Sequence, residues 1–214
     1  MSEPKATLHD YLRVARETML WKLEGLSDYD VRRPMTRTGT NLLGMVKHLA
    51  YVEFGYFGEV FGRSPGVTYP WQVENAGPNC DFWATADESR EDIVELYQRA
   101  WAHSDATIEE LDLDATGHVP WWGDGGESVT LHQILVHVAT ETHRHAGHAD
   151  IVRELIDGAV GFAPGDENVE PVPEGWEAYR AKLERVARET QPISKTVPDV
   201  GSTSANEGST APAS

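Results

Sequence analysis

Residues 130–158 read "TLHQILVHVATETHRHAGHADIVRELIDG", and the period of their apolar side chains is that of a helix. Leu131, Ile134, Val138, Val152 and Ile156 recur at steps of three, four and seven or their sums. Laid out at about 100° per residue around His145, all five fall within about 40° of it and define one buried face. Gly158, just beyond the last periodic residue, is the expected end of the helix. Five of the nine histidines in the chain lie between His132 and His148. They do not share a direction. Glu141 falls in the same window as His145, and His148 sits at its edge, about 60° away. His132 and His143 point the opposite way, toward solvent, and His137 lies on the flank.

A carboxylate and an imidazole are thus aimed into a core. A buried ionised glutamate costs several kcal/mol unless a positive charge pairs with it. Arg144 lies about 100° round the helix and is poorly placed to help. A divalent cation is the economical partner, because side chains at i and i+4 stand about 5–6 Å apart at Cβ and can share one ion. His148, three residues after His145, is a rival ligand, although its off-centre direction suits a neighbour or wall of the site better.

Two ligands are too few for a metal. A third imidazole in a core position is His48, set within the otherwise apolar run "LLGMVKHLAYVEFGYF" at 42–57. His9 and His103 fall near the ends or outer sides of their segments. Taken alone, His48 would read as an ordinary hydrogen-bonded core histidine, and the Glu141–His145 pair as a helix-surface pair. On apolar faces of two different helices, they read together as a metal site. Two histidines and a glutamate with a fourth position open to water is the composition of a catalytic site rather than a closed structural one. Zinc is the first expectation, and the same donors admit nickel, manganese or iron.

Three more long amphipathic segments flank this helix. One runs from about Leu8 to Leu26 with Thr7 as N-cap, and one from about Asn41 to Phe61 after the turn "TRTGT". The third runs from about Ser89 to Leu111, where "SRED" reads as a near capping box. Long connections, "RSPGVTYPWQVENAGPNCDFWATADE" and "DATGHVPWWGDGGES", separate the last three of the four segments. Short strands are expected only around Val119–Trp122. The pattern predicts an all-α four-helix bundle with long crossover loops over 1–160. An accessory loop and C-terminal helix, about Trp176 to Glu189 after "EPVPEG", occupy 161–191. Residues 192–214 carry too little apolar content to fold and are expected to be disordered.

Composition narrows the partners. A formal net charge of −17 disfavours phosphate backbones and anionic membranes, so neither nucleic acid nor a membrane is an expected partner. The start "MSEPKATLHDYLRV" lacks the pattern of a secretory signal, and no apolar run is long enough to span a bilayer. The lone Cys80 cannot form an internal disulfide, which fits a reducing cytoplasm, and nothing around it marks a nucleophile.

The segments "LLGMVKHLAYVE" and "TLHQILVHVATETHRHAGHADIVRELIDG" resemble the DinB/YfiT-type metalloprotein superfamily. The likeness is to its actinobacterial branch, near the mycothiol-dependent maleylpyruvate isomerases and mycothiol S-transferases, and covers about Thr7 to Gly158. It implies a four-helix bundle holding a divalent metal on one side chain of the second helix and two of the fourth. Those positions fall on His48, Glu141 and His145. Many relatives carry histidine where Glu141 stands, while the isomerase branch carries glutamate. The C-terminal segment has no clear counterpart of the isomerase's second domain, which points away from maleylpyruvate.

The resemblance further implies a low-molecular-weight thiol, mycothiol, activated as its thiolate and transferred to a small electrophile in detoxification. Trp121 and Trp122 of "VPWWGDGG" would wall the pocket mouth and the glycines would let it move; the alternative is a hydrophobic plug on the bundle end. Two other functions compete: a non-catalytic metal-binding, stress-related protein, or a metal-dependent hydrolase with Glu141 as general base. A homodimer is expected, because the second helix is apolar around more of its circumference than one neighbour needs.

Overall fold

In a computed structural model, residues 3–190 are described. They divide into two compact units, one ending at Val169 and the next beginning at Glu170. The first unit contains α1 (Pro4–Trp21), α2 (Asp28–Arg32), α3 (Leu42–Glu53), α4 (Arg90–Glu110) and α5 (Leu131–Asp157). A two-stranded hairpin, β1 (Thr116–Val119) and β2 (Glu127–Thr130), precedes α5. The second unit contains α6, Trp176–Glu189. The fold is all-α, with four long helices forming the bundle. The tail expected to be disordered, 192–214, lies outside the described residues.

Three of the four long helices, α3, α4 and α5, begin where a side chain can satisfy a first free backbone N–H group. Asn41 accepts from Gly44 N at 2.7 Å and opens α3. Ser89 and Asp92 form a reciprocal capping box on α4, as "SRED" suggests. Thr130 accepts from Gln133 N at 3.2 Å and opens α5. Gly158 closes α5 in the left-handed region at φ 82°. The start of α1 differs from expectation: the helix begins at Pro4 rather than after Thr7. Proline suits the first helical turn because its missing N–H would have no partner there, so Thr7 is interior and its hydroxyl donates to Glu3 O. The second long segment also departs from a single helix. After Glu53 it widens into a π-helical turn, Phe54–Gly58, then tightens into a 3-10 turn, Glu59–Phe61. The short strands expected around Val119–Trp122 are β1 and β2, which pair Thr116 with Thr130 and Val119 with Glu127.

Contacts fix the directions of the helices. Tyr11 meets His143 and Lys22 reaches Asp150, so α1 and α5 run parallel. Lys47 meets Glu88 and Phe54 meets His103, so α3 and α4 also run parallel. Parallel neighbours cannot be joined by a short turn, which is why a long connection must return the chain between α3 and α4. His48 faces Glu141 while Tyr56, in the π-helical turn that continues α3, meets the earlier His137, so α3 and α5 are antiparallel.

The core has two apolar clusters, one around Met19, Leu43, Leu49 and Tyr97, the other around Leu12, Phe57, Ile134 and Val138. A charged cluster is buried as well. Arg16 of α1 donates to Glu53 of α3 through Nε and Nη2, at 2.8 Å to Oε1 and 2.5 Å to Oε2, and through Nη1 to Asp105 of α4 at 2.7 Å. Burial of α3 against α4 and α5 uses up the apolar circumference that had suggested a dimer face. Among the described residues no helix is long and apolar enough to cross a membrane.

Candidate metal centre

Antiparallel packing of α3 on α5 brings His48, Glu141 and His145 together, with one donor atom from each lying within 4.8 Å of the others. Glu141 Oε1 is 3.2 Å from His145 Nε2 and 3.7 Å from His48 Nε2. The two imidazole rings stand 5.1 Å apart at 65°. His145 is buried, His48 and Glu141 are half-buried.

The second nitrogen of His48 is fixed from the loop between α3 and α4. His48 Nδ1 lies 2.7 Å from Asp81 Oδ2 and donates to that carboxylate. In the neutral ring this leaves Nε2 as a bare lone pair. His48 Nε2 is buried and has no hydrogen-bond partner among the described residues. Phe82 lies flat on the same imidazole at 3.9 Å and 20°. The loop is clamped to α3: Asn41 Nδ2 donates to Phe82 O at 3.1 Å and Lys47 Nζ donates to Trp83 O at 3.1 Å. Gly44 makes this approach possible, since a Cβ there would stand 1.8 Å from Phe82 O.

Charge follows this geometry. Burial pushes the Glu141 carboxyl up, but the imidazoles of His145 and His48 outweigh it and leave Glu141 below its ordinary range. Burial, with help from His48, holds His145 below the usual histidine value. Asp81 is likewise held low, its burial outweighed by the hydrogen bond from His48. The centre therefore brings together two carboxylates and two imidazoles, the side-chain types that ligate divalent metals.

Two cavities meet the triad from different sides. One of about 560 Å³ reaches His48 and Asp81 and is walled by Tyr51, Tyr56, Tyr69, Trp71 and Trp121. The other, about 290 Å³, reaches His145 and His148 past Thr38, Thr40, Asn41 and Asn79. Phe82 lines the second and covers His48 on that side. His148 lies outside the triad; its exposed ring meets His145 edge-on at 5.5 Å. The tryptophan pair splits. Trp121 lines the larger cavity, whereas Trp122 packs on the apolar cluster around Leu12 and Phe57. Both indoles donate to Tyr56 Oη, at 3.2 and 2.9 Å. His137, on the flank of α5, sits between the rings of Tyr56 and Trp122.

Of the remaining histidines, His132 is exposed as expected. His143 is not: it is half-buried, edge-on to Tyr11 at 6.3 Å, because α1 packs along that side of α5. Cys80 is a half-buried free thiol in the loop. Sequence periodicity missed Asp81 and Phe82, which lie in irregular chain. The signal for Asp81 was chemical: a metal-binding imidazole needs an acceptor for its other N–H, and "NCDFW" holds the one acidic residue in 75–86.

No curated protein matches the chain. A family model described as mycothiol-S-transferase matches residues 7–158. The match runs from the first turns of α1 to the glycine that ends α5, and so takes in the triad, the Asp81 loop and both cavities: the chain belongs to the mycothiol-S-transferase family.

Proposed function

We propose that the protein is a metal-dependent thiol S-transferase that joins mycothiol to small electrophiles, with His48, Glu141 and His145 as the metal ligands. One observation carries the reading. The buried Nε2 of His48 has no hydrogen-bond partner among the described residues and lies 3.7 Å from the Glu141 carboxylate, while Asp81 holds the ring's other nitrogen. Such an arrangement is unfavourable unless a cation lies within reach of both, and His145 completes a three-donor set. The nitrogen and oxygen donors fit zinc first, then nickel, manganese or iron.

Bound there, a divalent cation would supply the Lewis acidity that turns a thiol into its nucleophilic thiolate near neutral pH. The side chains do the rest. Asp81 fixes the ring of His48 and its tautomer; Phe82 shields that ring on one face. Glu141 supplies the negative charge that holds a cation in place. The cavity beside His48 is large enough for a small organic electrophile and is walled by aromatic rings.

A hydrolase with Glu141 as general base fits less well, since Glu141 already faces both imidazoles as a third donor. Purified protein incubated with mycothiol and monochlorobimane should give conjugate above background, and chelation by EDTA should abolish it. Ester or amide turnover without any thiol would replace this reading with the hydrolase. No turnover in either assay, with metal bound, would leave a binding protein.

A further inference from the structure

The larger cavity combines aromatic walls with negative charge. Tyr51 meets Trp71 at 5.9 Å and 68°, and Tyr56 meets Trp121 at 5.4 Å and 69°, so two pairs of its wall rings stand nearly at right angles. Trp71 also stacks on Tyr69 at 4.8 Å and 25°, and the Trp121 indole donates to Tyr56 Oη at 3.2 Å. Two rings set at such an angle form a corner in which a rounded cationic head can touch both, and the negative face of an aromatic ring attracts a cation. Two carboxylates, Glu59 and Asp81, lie on the same wall, and no lysine or arginine among the described residues lines it. Asp81 is engaged with His48. Glu59 makes no hydrogen bond or ion pair with a described residue. The negative field reaches the rings: burial and Glu59 hold the Tyr69 hydroxyl above its ordinary value, and burial with Glu88 and Asp81 does the same for Tyr51. A divalent ion on the triad would be balanced by Glu141 and Asp81, which leaves Glu59 as the countercharge of the cavity.

We infer that this cavity is a cation cage, selecting small electrophiles that carry a quaternary ammonium group. Binding stands on the rings and Glu59 alone; the reaction rests on the transferase reading. An anion would meet like charge on the wall, and a neutral group of the same shape would gain apolar contact without the electrostatic attraction. The cavity reaches His48 as well as the ring corners, so one small molecule can span both. With a bromoethyl ammonium substrate the transfer is a substitution. The thiol sulfur forms a bond to the carbon that bears bromine, the carbon–bromine bond breaks with its electron pair leaving on bromide, and the thiol proton goes to solvent. The ammonium group is unchanged throughout.

Choline and 3,3-dimethyl-1-butanol share one shape and differ in charge, a nitrogen in the first standing where the second has carbon. Each is titrated into metal-loaded protein at physiological salt, and the broadening of its methyl proton signal is followed. Choline should bind at least about tenfold more tightly than the alcohol, the worth of one or two cation–π contacts. Trp71→Leu keeps an apolar side chain at a position 53% exposed and should cut that preference about fivefold. Glu59→Gln, also at an exposed position, should cut it about threefold. In turnover with mycothiol and (2-bromoethyl)trimethylammonium, Trp71→Leu should raise the KM of the cation and not that of the thiol. Equal affinity for the two probes, no binding of either, or a preference for choline that survives both substitutions overturns the cation cage. Conjugation of monochlorobimane alongside any of those results would leave the transferase reading standing alone. A preference for choline that depends on Trp71 or Glu59, with no thiol turnover, would instead sink the transferase reading and leave the cage in place.

Discussion

At the scale of single residues, His48 carries two separable roles on its two nitrogens. Nε2 faces Glu141, and Nδ1 is held by Asp81 at 2.7 Å. Replacing Asp81 with Asn removes the negative acceptor while preserving shape. Loss of such a partner weakens metal affinity by about 10–100-fold, so Asp81→Asn should release zinc to a competing chelator dye at correspondingly lower chelator concentration. Equal affinity in the two proteins would show that Asp81 does not position the ligand. His145→Ala should go further and remove both metal and conjugating activity. The matched control is His132→Ala on the exposed side of the same helix, a better choice than His143, which packs against Tyr11. Equal metal content by elemental analysis in His145→Ala and His132→Ala would sink the ligand assignment. The triad was legible in the sequence because helical period alone aims Glu141 and His145 along the line of Leu131, Ile134 and Val138. Asp81 was not, since a loop has no period to read.

At the scale of elements, the site depends on how the loop after α3 is tied back onto that helix. Gly44 is the contact point, and alanine there must displace Phe82 O or the helix itself. Overpacking of this kind costs about 1–3 kcal/mol, so Gly44→Ala should lower the denaturant midpoint and, by shifting the Asp81–Phe82 strap, weaken metal binding too. Full metal affinity in a destabilised Gly44→Ala would separate the strap from the site.

The second tie is Lys47 with Glu88, 2.7 Å apart. Burial pushes Glu88 up, but Lys47 and the Thr85 N–H outweigh it and hold the carboxyl below its ordinary value of 4.5. A folded value below the unfolded one stabilises the protein above that unfolded value, and the benefit is lost as pH falls through the folded one. Glu88→Gln should therefore be less stable than the wild type at neutral pH, with the gap closing below about pH 4.5. A constant gap between the two melting curves down to acid pH would assign the effect to packing instead.

The elements also mark where local rules stop. Caps on α4 and α5 and the end of α5 at Gly158 follow from residue types, but the start of α1 turns on Pro4, whose fixed φ favours the first turn over the cap that Thr7 offered. The π-helical turn at Phe54–Gly58 has no sequence signature. Its five residues sit where Gly55 and Tyr56 enter the wall of the larger cavity.

At the scale of the whole molecule, the direction of each helix was the part that periodicity could not supply. Amphipathic stripes say which face is buried, not whether neighbours run parallel; long connections hinted at crossovers, and contacts between side chains decide the rest. The outcome places the three donors on two helices that meet only through folding, α3 and α5. Metal binding at such a site is linked to stability, because the unfolded chain separates His48 from Glu141 by 93 positions, 48 to 141. A metal present at about 100 times its dissociation constant adds about 2.7 kcal/mol. For a chain of this size that is roughly 5–10 °C in Tm. Chelation with EDTA should therefore lower the Tm of the zinc-loaded protein by that order, and restored zinc should recover it. The drop should vanish in His145→Ala, whose Tm should already lie near that of the chelated wild type and ignore EDTA. Scanning calorimetry on the four samples separates the outcomes. An EDTA-dependent fall of equal size in His145→Ala would place the stabilising ion elsewhere in the chain, and no fall in either protein would mean that α3 and α5 are not joined through a metal at all.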